Sequence, residues 1–340
     1  MIERKYMERA LQLASNGEGF TSPNPMVGAV IVSPQGRIIG EGWHRRYGGP
    51  HAEVNAVNSV AKEDEHLLEQ STIYVTLEPC SHYGKTPPCS LLLINKHLKR
   101  VVVGSPDPFP LVSGRGIRML REAGIEVVEN FMREECDRIN RRFLTAHTLG
   151  RPFIQLKWAE SSDGFIGATG RDGKKTPVAL STPLSLAAMH RQRALADAIL
   201  VGTETIITDN PSLTLRLWPG RDPRPVVFQS ERIPQSALLL KRDPIFLHRD
   251  LPLSDEMNRL YREYGIISLM VEGGAATLRS FINARLADEI RVEHSPRSIG
   301  RGVEAPAIPA GFIITDEKLI GTNRITTYEA PASSKSEPLE

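Results

Sequence analysis

One histidine, two cysteines and one glutamate most constrain what this 340-residue chain can form. His51, Cys80 and Cys89 offer one imidazole and two thiolates. A catalytic zinc site has three protein ligands and keeps a fourth position open, and these three side chains meet that count. Glu53 follows His51 by two residues, close enough to move protons at a bound water without being a ligand itself. The sequence therefore predicts a catalytic zinc site with a carboxylate beside it.

The order of these residues is typical of the zinc deaminase signature H-x-E…P-C-x-x-C, in which the glutamate is the general acid and base. Zinc lowers the pKa of its bound water to about 7, so hydroxide is available at neutral pH. The carboxylate then takes the proton of the water and delivers it to the leaving ammonia. Here eight residues separate the cysteines instead of two, and the loop between them contains His82, Lys85 and Thr86, which suit an anionic group on a substrate.

Two other interpretations of the cysteines stay open on the residues alone. A structural zinc site would need a fourth protein ligand, which His44, His82 or Cys136 would have to supply. A disulfide between Cys80 and Cys89 would need an oxidising compartment, and three cysteines without a secretory signal give that no support. Cys136 lies in a charged helical stretch and is expected to be a free thiol.

The charge balance and the length limit the class of protein. Lys plus Arg total 42 and Asp plus Glu total 40, and this net charge of +2 argues against a general nucleic-acid binder. No apolar run approaches the roughly 20 residues needed to cross a membrane. The N-terminus lacks the apolar core of a signal peptide. We expect a cytoplasmic protein that acts on a small molecule, without a nucleic-acid or membrane partner, in two domains of roughly 100–200 residues each.

Alternating helices and strands predict an α/β fold for the first half. The predicted strands cover 27–32, 37–43, 72–77, 100–103 and 125–128, and the predicted helices begin near residues 7, 51, 90, 116 and 133. The cysteine loop follows the strand 72–77, and α/β sheets place their sites at the C-terminal ends of strands. One amphipathic helix is predicted over 133–149, after which Gly150-Arg151-Pro152 breaks the chain. We therefore place domains at 1–149 and 150–330, and a flexible tail at 331–340.

The second half also has an α/β pattern. Strands are predicted over 153–158, 198–201, 225–228, 266–271, 289–293 and 324–329, and helices over 184–195 and 275–283. Between 266–271 and the helix that follows stands Glu272-Gly273-Gly274, where glycine lets a phosphate approach the backbone and the helix N-terminus favours an anion. Because this is not G-x-G-x-x-G, a tight strand-to-helix turn without a ligand remains an equal alternative on the residues alone.

Longer blocks of sequence resemble a known family. Residues 79–89 resemble the pattern P-C-x-H-x-G-x-T-P-P-C of the deaminase domain of bifunctional riboflavin biosynthesis deaminase/reductases, and residues 21–30, 42–44 and 49–53 look like the first motifs of that domain. Residues 157–164, 197–205, 209–216, 271–274 and 287–289 resemble the reductase domain of the same family. The resemblance covers nearly all of the chain, with the tail outside it.

The resemblance implies a cytidine-deaminase-like three-layer α/β/α domain, followed by a dihydrofolate-reductase-like α/β domain that binds NADPH. It implies hydrolytic, zinc-dependent deamination of 2,5-diamino-6-ribosylamino-4(3H)-pyrimidinone 5′-phosphate, and then NADPH reduction of the ribosyl side chain to ribityl. It also implies a homo-oligomer, a dimer or a tetramer.

The resemblance assigns further site residues by position. In the deaminase domain the substrate contacts are Asn24, His44, His82 and Lys85, with Lys85 the candidate for the phosphate. The NADPH contacts are Ala159, Thr205, Asp209 and Gly274. The contacts to the substrate of the reductase are Thr176, Arg193, Leu213, Arg216 and Glu272.

The second half also departs from the family pattern. A tryptophan usual near Val178 is missing, and Gln229 stands where aspartate is frequent. These departures keep open the alternative of a deaminase with a degenerate, non-catalytic reductase-like domain. Two more distant alternatives are a nucleic-acid-editing deaminase, which would need aromatic and basic groups that follow a strand, and a zinc protein without enzymatic activity.

Overall fold

The chain folds as two units in a computed structural model that describes residues 2–83, 87–109, 114–171, 173 and 175–331. The first unit is Met1–Thr148 and the second is Leu149–Glu340. The predicted tail lies, apart from Pro331, outside the described residues. Over the described ranges, none of the helices combines the length and the apolar character needed to span a membrane.

A five-stranded sheet forms the centre of the first unit. Its strands are β1 (Gly28–Val32), β2 (Ile38–Trp43), β3 (Thr72–Leu77), β4 (Arg100–Ser105) and β5 (Glu126–Val128), in the order β2-β1-β3-β4-β5. β1 is antiparallel to β2 and β3, whereas β3, β4 and β5 are parallel. The helices are α1 (Arg4–Ser15), α2 (Ala52–Asn58), α3 (Cys89–Asn95), α4 (Arg115–Glu122), α5 (Arg133–Ile139) and α6 (Arg141–Leu149), and Lys62–Gln70 is a 3₁₀ helix.

Alternate residues of the strands face two different helix layers. Val30, Tyr74 and Val102 pack with α1 and α5 on one face. The next residues along the same strands point the other way, as the two-residue period of a strand requires, and pack with α2, α3 and α4. Both faces of the sheet are therefore covered by helices. This confirms the predicted three-layer α/β/α domain.

Glycine lets α2 lie close against β2. A Cβ on Gly42 would stand 2.3 Å from the Ala56 nitrogen and 2.5 Å from the Ala52 oxygen, both backbone atoms of α2. Such distances are far inside van der Waals contact, so a larger residue would push the helix away. Because α2 follows His51 and contains Glu53, Gly42 fixes the depth at which both side chains lie.

The prediction of one continuous helix over 133–149 is wrong. Two helices, α5 and α6, meet at Asn140, whose φ of −105° and ψ of 15° are not helical. The amphipathic pattern continues through the junction, and periodicity alone could not show the break. Asparagine is disfavoured in a helix interior because its side chain competes for backbone hydrogen bonds, and here the Asn140 side chain bonds to the backbone of the distant Met26.

An eight-stranded sheet forms the centre of the second unit. Its strands are β6 (Phe153–Glu160), β9 (Ala198–Val201), β10 (Arg224–Phe228), β11 (Ile245–Leu247), β12 (Ser268–Glu272), β13 (Glu289–His294), β15 (Ile313–Ile320) and β16 (Asn323–Glu329), in the order β11-β10-β9-β12-β6-β13-β16-β15. The first six in that order are parallel, and β16 and β15 continue the sheet antiparallel. A small sheet of β7 (Phe165–Thr169), β8 (Lys175–Thr176) and β14 (Gly302–Glu304) has the order β14-β7-β8. The helices are α7 (Pro183–Ala194), α8 (Thr203–Asp209), α9 (Leu253–Tyr264) and α10 (Ala275–Asn283), and Leu238–Arg242 is a 3₁₀ helix.

This mixed sheet agrees with the predicted α/β reductase-like domain, and all six predicted strands are present. One face packs with α9 and α10 through residues such as Leu260 and Phe281. The other packs with α8 through Ile206. The elements of this unit that the sequence did not predict are β7, β8, β11, β14, β15, α8, α9 and the 3₁₀ helix.

An ion pair fastens the first strand of the second unit. Arg151 donates two hydrogen bonds to the Asp288 carboxylate, at 2.7 and 2.9 Å, and both side chains are buried. The same carboxylate accepts the Ile154 N–H at 2.8 Å, and the Asp288 carbonyl accepts the Ala330 N–H at 3.0 Å. Asp288 therefore holds β6 and the residue after β16 together.

Candidate active sites

Three elements of the first unit bring the predicted metal ligands together. His51 immediately precedes α2, Cys80 follows β3, and Cys89 is the first residue of α3. Their ligand atoms all lie within 4.8 Å of one another. The Nδ1 atom of His51 is 3.6 Å from the Cys80 sulfur and 3.4 Å from the Cys89 sulfur. Tetrahedral zinc with its usual bond lengths separates nitrogen and sulfur ligands by about 3.6 Å, so this donor set fits zinc.

The two cysteine thiols shift each other's pKa in opposite directions. A hydrogen bond from the Cys89 thiol lowers the pKa of Cys80 to about 4, and the same interaction raises the pKa of Cys89. The Cys89 N–H also donates to the Cys80 sulfur at 3.2 Å. The hydrogen bond with Cys80 in turn raises the pKa of His51 to about 9. Cys80 is thus held as a thiolate, the form of cysteine that binds metals.

Glu53 lies in the first turn of α2 with only 3% of its surface exposed. Burial, together with the nearby charge of Cys80, raises the pKa of this carboxyl to about 7. A carboxyl group that titrates near neutrality can both accept and return a proton at the same pH. Position and pKa therefore fit Glu53 for proton transfer beside the metal ligands.

A pocket of about 300 Å³ opens at this cluster. The predicted site residues that line it are Asn24, His44, His51, Glu53, Cys80 and His82. Cys89 is buried behind them, and Lys85 lies outside the described residues. The His44 Nδ1 atom lies 3.0 Å from the Pro50 carbonyl and must therefore donate to it, so Nε2 accepts from the Asn24 amide at 3.2 Å. Burial lowers the pKa of His44, which agrees with this neutral form.

Sequence reasoning missed one side of this pocket. Phe109, Phe143 and His147 line it together, and we call these three side chains the aromatic wall. The ring centroids of Phe143 and His147 are 4.3 Å apart, and the Phe109 ring meets His147 edge-on at 6.0 Å. Burial lowers the pKa of His147. Phe143 belongs to the apolar pattern of the predicted helix 133–149, and no local signal distinguishes it as a pocket residue.

Sequence reasoning also missed Glu78, which follows β3 and accepts four backbone hydrogen bonds near the pocket. Its buried carboxylate accepts the N–H groups of Asp107 and Gly114 on one oxygen, at 3.3 and 3.0 Å. The other oxygen accepts from Gly116 and Ile117 in the first turn of α4, at 3.0 and 3.4 Å. A carboxylate is favoured at a helix N-terminus because the unpaired N–H groups there carry partial positive charge. Glu78 thereby holds Asp107, another pocket residue, beside the cysteine loop.

A second pocket of about 300 Å³ lies in the second unit, where β6, β9 and β12 end. The predicted site residues that line this pocket are Ala159, Arg193, Thr205, Asp209, Leu213, Glu272 and Gly274. Thr176 and Arg216 are exposed and are not among its lining residues. The segment that lacks the family tryptophan contributes Val178, Leu180 and Ser181 to the lining.

Arg193 and Glu272 form a bidentate ion pair inside this pocket. Nε and Nη2 of Arg193 donate to the two carboxylate oxygens of Glu272 at 2.8 and 2.7 Å. Burial opposes ionisation of Glu272, but the charge of Arg193 and its hydrogen bonds outweigh burial and lower the pKa of the carboxyl. The sequence assigned both residues to the substrate separately and did not show that they contact each other.

The turn between β12 and α10 leaves open space at Gly274. This glycine is the N-cap of α10, and among the described residues a Cβ on it would have within 4 Å only the Thr205 hydroxyl, at 3.9 Å. Gly202, which follows β9 nearby, has no such room, because its Cβ would lie 2.4 Å from the Thr277 hydroxyl. The backbone at the start of α10 is therefore accessible to a ligand from the pocket, as anion binding by a helix N-terminus requires.

Comparison with known families matches both halves of the chain. The model for the cytidine and deoxycytidylate deaminase zinc-binding region matches residues 1–105. The model for the RibD C-terminal domain matches residues 152–324.

Similar proteins extend over most of the chain. Riboflavin biosynthesis protein RibD of Aquifex aeolicus is 37% identical over 327 residues, which cover 89% of this chain and 89% of that protein. RibD of Actinobacillus pleuropneumoniae is 37% identical over 334 residues, which cover 97% of this chain and 84% of that protein.

Two solved structures are similar in fold. Acinetobacter baumannii RibD superposes with a TM-score of 0.86 at 30% identity, covering 96% of this chain and 98% of that one. A diaminohydroxyphosphoribosylaminopyrimidine deaminase/5-amino-6-(5-phosphoribosylamino)uracil reductase of Thermotoga maritima superposes with a TM-score of 0.85 at 34% identity, with the same coverage.

Proposed function

Because this chain belongs to the RibD family of riboflavin biosynthesis proteins, we propose that its two pockets catalyse two reactions on one pyrimidine phosphate. The chain is a bifunctional enzyme, a zinc-dependent deaminase and an NADPH-dependent reductase. The first unit hydrolytically deaminates 2,5-diamino-6-ribosylamino-4(3H)-pyrimidinone 5′-phosphate. The second unit then reduces the ribosyl side chain of the product to ribityl.

In the first reaction His51, Cys80 and Cys89 hold the zinc ion. Support comes from the spacing of their ligand atoms and from the thiolate character of Cys80. Zinc bound there supplies a water whose pKa is lowered to about 7. The alternative of a structural site has less support, because among the described residues the side chains close enough to share one metal ion are His51, Cys80 and Cys89, a group that leaves out His44, His82 and Cys136.

Glu53 moves the proton in this reaction. Its carboxylate accepts a proton from the attacking water and delivers it to the amine that leaves as ammonia, which balances the hydrolysis. A buried carboxyl whose pKa is about 7 suits both halves of this transfer. The observation that carries the proposal is this buried glutamate beside three side chains at zinc-ligand spacing.

Four residues are proposed to hold the substrate of the deaminase. Asn24 and His44 contact each other at the pocket, so His44 orients the amide that meets the pyrimidine. His82 lines the same pocket. Lys85, in the loop between the cysteines, is proposed to bind the 5′-phosphate.

In the second reaction NADPH supplies the hydride that reduces the sugar. Ala159, Thr205, Asp209 and Gly274 are proposed to hold this cofactor, and all four line the pocket. Thr176, Arg193, Leu213, Arg216 and Glu272 are proposed to hold the substrate of the reductase, and three of these five line it. The alternative of a degenerate second domain finds no support in the comparisons.

We extend the proposal to the organisation of the protein. The deaminase domain is 1–149 and the reductase domain 150–330, a boundary supported by the division of the chain after Thr148. We also propose a homo-oligomer, a dimer or a tetramer, in the cytoplasm. Sedimentation of the purified protein would test the oligomer, and a monomer at micromolar concentration would exclude it.

Glu53→Gln tests the proposed deamination. An amide cannot accept the proton of the water, so deamination should fall by at least roughly 10²–10⁴-fold while zinc stays bound. Ammonia release and zinc content are measured on the same sample. The reductase, assayed with the deaminated substrate and NADPH, should be unchanged in this variant and is the control. Near-normal ammonia release by a zinc-loaded variant would exclude Glu53 as the proton carrier.

A further inference from the structure

Asn140 makes an unusual pair of contacts between two distant segments. The residue is 3% exposed and lies at the junction of α5 and α6. Oδ1 accepts the Met26 N–H at 2.8 Å, and Nδ2 donates to the Met26 carbonyl at 2.8 Å. Two bonds to the N–H and C=O of one residue imitate a hydrogen-bonded pair in an antiparallel β-ladder. They fix both the distance and the direction between the two segments, and we call this pair of bonds the amide clamp.

On one side of the amide clamp is a segment of the deaminase pocket. Asn24, Pro25 and Val27 all line that pocket, and Met26 lies among them. The carbonyl of Val27 accepts the His44 N–H at 2.9 Å, and the Asn24 amide contacts the His44 ring. This segment is therefore tied to His44 on one side and to Asn140 on the other.

On the other side of the amide clamp is the aromatic wall. The Asn140 carbonyl accepts the Leu144 N–H at 2.9 Å, so Asn140 begins the hydrogen bonding of α6. Phe143 and His147 lie three and seven positions after Asn140, and this spacing puts all three on one face of a helix. The clamp and two members of the aromatic wall thus share a single helical face.

The geometry points to Asn140 as a positioning residue of the deaminase. Its amide clamp sets the separation between Asn24 and the aromatic wall, and the planar pyrimidine binds in the gap between them. This inference rests on the function proposed above. A flat ring gains contact with an aromatic face only when the gap matches its thickness. Asn140 is not a catalytic residue, because it contacts Met26 and not the reacting atoms.

Asn140→Asp in the full-length, zinc-loaded protein is the first test. The substitution keeps the shape of the side chain but replaces the Nδ2 donor with an oxygen that faces the Met26 carbonyl. We expect KM for the pyrimidine phosphate to rise about tenfold, the size of one lost buried hydrogen bond. We expect kcat to change far less, because the zinc ligands and Glu53 are untouched. Zinc content and reductase activity of the same chain should be those of the wild type.

Asn130→Asp is the matched control. It makes the same chemical change in the same unit, but Asn130 is exposed and its amide oxygen accepts a long bond of 3.5 Å from Arg133. Its KM should equal that of the wild type. If KM of Asn130→Asp rose as much as that of Asn140→Asp, the effect would come from the added charge, and the inference would be overturned.

A double-mutant cycle separates positioning from general stability. If Asn140 acts through the Asn24 segment, Asn140→Ala should raise KM less in an Asn24→Ala background than in the wild type. Additive effects would overturn the inference, as would a melting temperature that falls while KM stays constant. Should neither Asn140 variant accumulate as folded protein, Asn140 acts on folding and the inference is wrong.

The outcomes distinguish this inference from the function on which it rests. Wild-type protein that carries zinc and releases no ammonia from the pyrimidine phosphate would refute the proposed function. Wild-type protein that releases ammonia, together with an Asn140→Asp variant of unchanged KM, would refute the role of Asn140 alone.

Discussion

Glu272→Gln probes the ion pair at the pocket of the second unit. The side chains of Arg193 and Glu272 are only 11% and 14% exposed, and they are joined by two hydrogen bonds. Removal of one partner from a buried pair leaves an uncompensated charge and destabilises a protein by about 3–5 kcal/mol. Glutamine keeps one acceptor for Arg193, so we expect the lower end, about 3 kcal/mol. In a unit of this size the melting temperature should fall by roughly 6–12 °C, at roughly 2–4 °C per kcal/mol.

Thermal unfolding followed by tryptophan fluorescence measures this effect, because Trp158 is 3% exposed in the same unit. The matched control is Glu204→Gln. Glu204 pairs with Arg232 at the surface, where the side chains are 49% and 66% exposed, and such pairs contribute about 0–1 kcal/mol. A fall of less than about 2 °C for Glu272→Gln, no more than about 1 kcal/mol, would refute the reasoning.

The pH dependence gives the same test a second readout. The pKa of Glu272 is lowered in the folded protein, so its pair contributes stability above the ordinary carboxyl pKa of 4.5. That contribution is lost as the pH falls through the lower, folded-state pKa. The difference in melting temperature between wild type and Glu272→Gln should therefore be full at neutral pH and shrink in acid. A difference that stays constant to low pH would show that the charge of Glu272 is not its source.

Three more substitutions, the first with a matched control, test the proposed sites. Cys89→Ser should lose zinc by metal analysis, whereas Cys136→Ser, which changes a buried thiol in another cluster, should keep it; equal zinc in both would show a wrong ligand set. Lys85→Ala should raise KM for the phosphorylated substrate far more than for its dephosphorylated analogue, and equal effects would leave Lys85 without a role in phosphate binding. Gly274→Val should weaken NADPH binding in a titration, because a branched side chain there would occupy the space through which a phosphate approaches the backbone; unchanged affinity would place the cofactor elsewhere.

The metal site could be predicted because its residues lie close together in the sequence or directly after a predicted strand. His51 and Glu53 are two residues apart at the start of a helix, and Cys80 follows a strand of strong β pattern. The local sequence therefore predicts both the types of ligand and their position at the C-terminal ends of the strands. The comparisons then confirm the zinc-binding deaminase domain.

Contacts between distant residues could not be predicted in this way. The amide clamp joins Asn140 to a residue 114 positions earlier, and the apolar pattern of 133–149 gives no sign of the break at Asn140. The Arg193–Glu272 pair spans 79 positions, so each residue could be assigned only by resemblance. Short strands such as β7, whose residues are all half-buried, lack the alternation that identifies a strand.

The contacts of Asp288 determine where the second unit can be truncated and whether it can be circularly permuted. A fragment that begins at Phe153 would leave the buried Asp288 carboxylate without Arg151, whereas one that begins at Gly150 keeps the pair. The backbone of Asp288 also bonds to both Ile154 and Ala330, so the two ends of this unit lie side by side. Neighbouring ends are the condition for circular permutation. A short linker from Pro331 to Gly150 would therefore close the reductase unit into a ring that can be reopened at a surface loop.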